Sequence, residues 1–216
     1  TAFTDKLLTL IPHQKQPIFI FCGNGNNGGD GLVVAHLLQL MQFEVYTFIT
    51  QEKGSQDFQQ AYQILKKKPQ LLSATFPEIP KNALIIDALF GTGLNRPLEG
   101  KIAELVQYIN QTGNTIIAVD VPSGLILDKN TTDKNIICAT YTISFEYPKL
   151  AFFLPQNAKY VGSWHLAEIG LLPSFLNTIT CKRYWLQPNS IKTFFKKKDK
   201  FSHKGTYGHA LIVAGS

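Results

Sequence analysis

Three loops in this chain carry residue types that do chemistry. The first is GNGNNGGDG over residues 23–31, where Asn24, Asn26, Asn27 and Asp30 sit among five glycines. Glycines let a backbone approach a ligand, and amide groups left free where a loop opens a helix suit phosphate. Asparagine and aspartate oxygens suit a hard cation. Gly23, Gly25 and Gly28 formally satisfy G-x-G-x-x-G between a strand and a helix, a dinucleotide-binding pattern that is weak when alone. The acid that closes the second strand of such a unit is missing, because that strand ends Thr47-Phe48-Ile49-Thr50. This disfavours an ordinary NAD(P)-dependent dehydrogenase. A Walker A loop is excluded, since no Gly-Lys-Ser/Thr follows. The plain alternative is a tight strand-to-helix turn with Asp30 capping the helix.

The second loop is DALFGTGLNRPLEG, residues 87–100. Asp87 ends an apolar run, Gly91-Thr92-Gly93 is flexible, and Arg96 can pair with a phosphate. Its alternative is a turn-capping Asp87 and a solvated Arg96. The third is AVDVPSGLILD, residues 118–128, where Asp120 ends another apolar run before Pro122-Ser123-Gly124. If Asp87 and Asp120 face one crevice, two neighbouring carboxylates can separate their proton affinities or hold a cation. A capping Asp before a turn is again the plain alternative. Lys149, after SFEYP, is a weaker candidate for a phosphate contact, against a solvated loop lysine. His36 and His165 sit in apolar helix and strand patterns and read as packing residues. Ser123 is not in a G-x-S-x-G elbow. Trp164 and Trp185 read as core or interface residues.

The elements that must position these loops alternate short apolar runs with amphipathic stretches. Strands are expected at 17–22, 43–50, 83–90, 114–122, 139–145 and 161–170, and helices at 31–41, 55–68 and 99–111. Apolar strands alternating with helices imply a parallel sheet covered on both faces, with ligands beyond the carboxyl ends of the strands. HALIVAGS (209–216) reads as the start of a further strand.

Composition narrows the partners. The 216 residues carry a net charge of +6, but residues 191–216 hold six lysines and one acid, so five of those charges lie there. A nearly neutral body disfavours nucleic acid as its partner. Three distant cysteines, Cys22, Cys138 and Cys181, indicate neither a disulfide framework nor a zinc site. A reduced, cytoplasmic setting follows as the expectation. No apolar run is long enough to span a membrane, and no signal peptide is visible. The chain does not open with Met, which leaves room for a removed targeting segment.

Jointly the loops are specific. GNGNNGGDGLVVAHLL, IIDALFGTGLNRPLEG and AVDVPSGLILD, in that order, with TISFEYPKL and VGSWHLAEIGLL, resemble the NAD(P)H-hydrate epimerase family over residues 5–185. The resemblance implies an α/β fold, a Rossmann-like three-layer α/β/α sandwich with a mostly parallel central sheet. It implies interconversion of the R and S epimers of hydrated NADH and NADPH, a metabolite-repair isomerase activity. Residues 1–188 would be the epimerase domain with an incomplete N-terminal helix, 189–204 a Lys-rich linker, and 205–216 the start of a ribokinase-like dehydratase domain, because HKGTYGHALIVAGS resembles that domain's opening. The chain would thus be part of a bifunctional protein, and a homodimer is implied by the same resemblance. Asn26, Asn27, Gly28, Gly29 and Asp30 match substrate-pocket positions, as do Gly91, Thr92, Gly93, Leu94, Asn95, Arg96 and Pro97, which match the loop gripping the phosphates. Asn27, Asp87 and Ser123 match the positions that hold a potassium ion, and Asp120 matches a further substrate contact. Asp120 is expected as the acid/base group with Asp87 mainly ordering the cation, although the two roles could be exchanged. The competing class is a non-catalytic nucleotide- or protein-binding module on the same fold.

Overall fold

The central apolar runs form strands buried on both sides, as in a parallel sheet covered on both faces. The computed structural model describes residues 1–216 except 12–15, 66, 73–74, 128–133, 177, 181, 193, 196–198, 204 and 215–216. Its strands are β1 (Ile18–Cys22), β2 (Val45–Ile49), β3 (Gln70–Leu71), β4 (Leu84–Ala88), β5 (Thr115–Val119), β6 (Tyr141–Phe145) and β7 (Ser163–Ala167). They make one sheet in the order β3-β2-β1-β4-β5-β6-β7, and every pairing is parallel. The expectation of a mostly parallel sheet is thereby sharpened to a wholly parallel one.

Side chains on a strand alternate between faces, and this alternation divides the core. Ile18, Ile20 and Cys22 of β1, with Leu84 and Ile86 of β4 and Ile117 and Val119 of β5, pack beside helices α1 (Ala2–Leu10), α2 (Asn26–Leu40) and α3 (Gln56–Ile64). Phe19, Phe21, Ile85, Ile116 and Ala118 face the other way, against Ala103, Leu105, Val106 and Ile109 of helix α4 (Gly100–Gln111). A third cluster, with Val121, Leu125, Phe152 and Tyr160, seats the loops that follow β5 and β6, and Trp164 packs at its margin. From β1 the chain moves out through β2 and β3, then returns to place β4 on the other side of β1. That reversal creates a crevice at the carboxyl ends of β1 and β4.

Several boundaries differ from expectation. Helix α2 begins at Asn26 rather than at residue 31, with Gly25 as its N-cap in extended conformation. The Gly/Asn loop therefore supplies the first turn of the helix, and Asp30 lies inside the helix rather than capping it. Helix α3 stops at Ile64 because Leu65 turns extended, which leaves Lys67 and Lys68 outside it. The two-residue β3 was unmarked because its residues are exposed at the sheet edge. Residues 209–214 form no strand, and Leu211, Ile212 and Val213 are solvent-exposed. A strand needs a paired neighbour, and none is present for this segment among the described residues. The first compact unit ends at Leu171, short of the expected boundary at 188. The second, residues 172–216, contains short helices at Pro173–Leu176 and Pro188–Lys192, the latter reaching into the expected linker.

Candidate active site

Backbone meets backbone where the three polar loops converge. A Cβ on Gly23 would lie 1.9 Å from the Leu89 carbonyl oxygen, and one on Gly28 would lie 1.8 Å from that of Gly23. These two positions therefore require glycine. The Gly23 amide also donates to Ala88 O at 3.0 Å, tying the end of β1 to the end of β4. Helix α2 has no side-chain cap, and its first backbone bond runs from Gly29 N to Gly25 O. The amides of its opening turn are thus presented at the crevice with the positive end of the helix dipole.

Asp87, at the end of β4, is fully buried. Its Oδ1 accepts from Ser123 Oγ at 2.6 Å and from Leu89 N at 3.2 Å, and its Oδ2 accepts from Ser123 N at 2.8 Å. Burial pushes its carboxyl up to about 6, although these bonds pull the other way. Ser123 Oγ also accepts from Phe90 N at 2.8 Å. One residue further, a Cβ on Gly91 would come within 3.0 Å of Asn27 Oδ1. Asn27, Asp87 and Ser123 are therefore gathered around the Phe90–Gly91 backbone. The Asn27 amide nitrogen is buried without a hydrogen-bond partner, and no cationic side chain bonds to Asp87 among the described residues.

Asp120 follows β5 in a different setting. Its φ is +63°, a conformation that is rare outside glycine but tolerated by Asp and Asn. Val121 N reaches back to Val119 O at 2.7 Å across it, making a three-residue turn. Asp120 Oδ1 accepts from Lys149 Nζ at 2.7 Å, Ser144 Oγ at 2.9 Å and Phe145 N at 3.1 Å. No described residue donates to Oδ2. Asp30 lies within the field of Asp120. Although Asp30 is solvent-exposed, crowding of its carboxyl, then the Asp120 charge, then Asp57, push it up to about 6.

The other expected residues divide by exposure. Asn26, Thr92, Gly93, Asn95, Arg96 and Pro97 are exposed at the crevice loops, while Gly91 and Leu94 are half-buried. Gly28 and Gly29 are buried, Gly29 against the start of α3 at Phe58. Lys149 corrects both earlier readings: it is neither solvated nor open to phosphate, but held by Asp120. Ser144 went unmarked. Strand register is the signal that finds it, since Val119 pairs with Ile143 and the next step along each strand sets Asp120 beside Ser144. His165 stacks near Tyr141 at 6.0 Å, and burial, then Lys6, lower its affinity for a proton. Neither it nor His36 bonds to the site.

The model of the family described as YjeF-related protein N-terminus matches residues 1–151. The bifunctional NAD(P)H-hydrate repair enzyme Nnr of Coxiella burnetii is 31% identical over 206 residues, covering 94% of this chain and 42% of that protein. The chain thus spans about two-fifths of the length of that relative. The NAD(P)H-hydrate epimerase of Oenococcus oeni is 31% identical over 172 residues, covering 79% of this chain and 82% of that protein. The crystal structure of yeast YNL200c superposes with a TM-score of 0.68 over 88% of this chain and 84% of that one, at 22% identity, a likeness of fold. No helix among the described residues is long and apolar enough to cross a membrane. On the strength of the family match and of these relatives, the chain belongs to the YjeF-related N-terminal family, some of whose members are named NAD(P)H-hydrate epimerase.

Proposed function

We propose that this chain interconverts the R and S epimers of hydrated NADH and NADPH. The observation that carries the reading is the pairing of a glycine-lined, amide-rich crevice with Asp120, whose Oδ2 receives no hydrogen bond from the described residues and is open to a substrate. The hydrate carries its hydroxyl on the carbon beside the ring nitrogen. Epimerisation needs that carbon–oxygen bond, or a ring bond, to break and re-form on the opposite face. The nitrogen lone pair can expel the hydroxyl once it is protonated, giving a planar iminium and water. Returning water attacks the other face and loses its proton. Asp120, once it has taken a proton from solvent, suits both transfers, as acid in the first and base in the second. The amides opening α2 and the Gly91–Pro97 loop suit the diphosphate, and Arg96 can add a two-pronged contact.

A potassium ion fits the oxygen-rich cluster of Asn27, Asp87 and Ser123. Two features support it: Asn27 Oδ1 lies at the Gly91 backbone, and among the described residues the buried Asp87 is bonded by neutral donors alone. Oxygen donors of this kind suit a hard cation. When bound, such an ion would supply positive charge near the phosphate loop. With this reading go a cytoplasmic setting, a dehydratase domain continuing the chain and pairing of two copies.

The direct test is incubation of the purified chain with the pure R epimer, following the S epimer by chromatography. Conversion well above the uncatalysed rate is expected. A rate equal to the uncatalysed one would favour a binding module and defeat the proposal.

A further inference from the structure

The structure assigns Lys149 as the residue that positions Asp120, by stapling together two strained turns at the ends of neighbouring strands. This rests on the epimerase reading and extends it to a residue outside the three glycine-bearing loops of the crevice.

The donor count excludes the simpler role. A lysine ammonium has three hydrogens to give. Lys149 Nζ has three acceptors, Asp120 Oδ1 at 2.7 Å, Phe145 O at 3.2 Å and Tyr147 O at 3.3 Å. No donor is left for a phosphate. On the other side of the pair, Oδ1 already takes three hydrogen bonds, so a reacting group must approach Oδ2.

The backbone shows what this arrangement holds in place. Asp120 has φ +63°, and Glu146, one residue past β6, has φ +57°. Each is spanned by a short bond to the residue two before, Val121 N to Val119 O and Tyr147 N to Phe145 O, both at 2.7 Å. Positive φ in non-glycine residues is strained and persists only where the surroundings impose it. The two carbonyls that Lys149 grips, Phe145 and Tyr147, flank Glu146. Its third bond reaches the residue at the centre of the other turn. One ammonium thus joins both turns and directs the Asp120 carboxylate. The charged groups around Asp120 are Lys149 and, from α2, Asp30, which is itself faced by Asp57 of α3.

A positioning role and a phosphate contact separate in the kinetics. A lost phosphate contact raises KM and leaves kcat. Misplacing a reacting group lowers kcat, by about 10²-fold for a shift near one ångström. For R-to-S conversion by the full chain, Lys149→Met should lower kcat by about 10²-fold with KM little changed. Lys149→Ala should regain activity when ethylammonium is added, because a free cation can refill the cleft left by the side chain. Recovery of this kind is not expected of a protein that has merely lost its fold. An unchanged kcat, a KM-only effect, or the absence of amine rescue in a folded Lys149→Ala protein would overturn the assignment. If the unmodified chain does not epimerise the hydrate, the functional reading fails separately. Crystal structures of it and of Lys149→Met then decide the positioning role: Asp120 should turn in the variant, and an unmoved carboxylate would refute it.

Discussion

Asp87 and Asp120 end adjacent parallel strands, yet the fold treats them oppositely. Asp87 is sealed in, with both oxygens taken by neutral donors from Ser123 and Leu89. Asp120 has one oxygen tied to an ammonium, a hydroxyl and an amide, and the other receives no bond from the described residues. Burial raises the proton affinity of Asp87, whereas Asp120 sits in an ion pair at the crevice. The same residue type at the ends of neighbouring strands is thus sealed by neutral donors in one case and left with one oxygen open among the described residues in the other. What differs is which neighbouring strand or loop supplies the donors.

The contrast can be broken first at Asp120. Asp120→Asn should lower R-to-S conversion by about 10³-fold while folding normally, because Asn tolerates positive φ and keeps an acceptor for Lys149. Normal turnover in that variant would transfer the proton role elsewhere. Asp87→Ala should act mainly on stability. It strands the buried amides of Ser123 and Leu89, a loss of about 2 kcal/mol, or ~4–8 °C in Tm for a chain of this size. The same variant should lose any dependence of rate on potassium, and an unchanged response would remove Asp87 from the cation site.

The smallest effect tests the field between Asp30 and Asp120. Asp30 rises from 3.8 to about 6 in the folded protein. A carboxyl raised on folding favours the fold fully below its unfolded value, and that help is lost as pH climbs through the folded one. Asp30→Asn lacks this loss. Its Tm should match the parent near pH 4, gain on it up to about pH 6, and stay level above. The gain should reach only ~1–3 °C, since Asp30 is exposed and such pairs are screened. A constant Tm difference across that range would mean that neither burial nor the neighbouring Asp120 and Asp57 raise Asp30.

Much of this was legible in the residues. Continuous apolar runs such as Ile18–Cys22, alternating with helical stretches, announced a sheet buried on both faces, and the carboxylates Asp87 and Asp120 at the ends of such runs marked its carboxyl edge. The start of α2 was misplaced because Gly28 and Gly29 read as loop, whereas their lack of a Cβ lets the helix begin against Gly23 and α3. Residues 209–214 form no strand, because an apolar run becomes one only when a partner lies beside it, and none does among the described residues.

The sequence by itself determined the family, the parallel class of the sheet and the three loops that meet at its edge, because these depend on local pattern and order along the chain. Tertiary structure alone decided which oxygen of Asp120 stays free, that Lys149 has no donor to spare, and that Asp87 has no cationic partner. Those are properties of groups 29 or 36 residues apart, and only the strand order, which brings β4, β5 and β6 side by side, puts them within bonding distance.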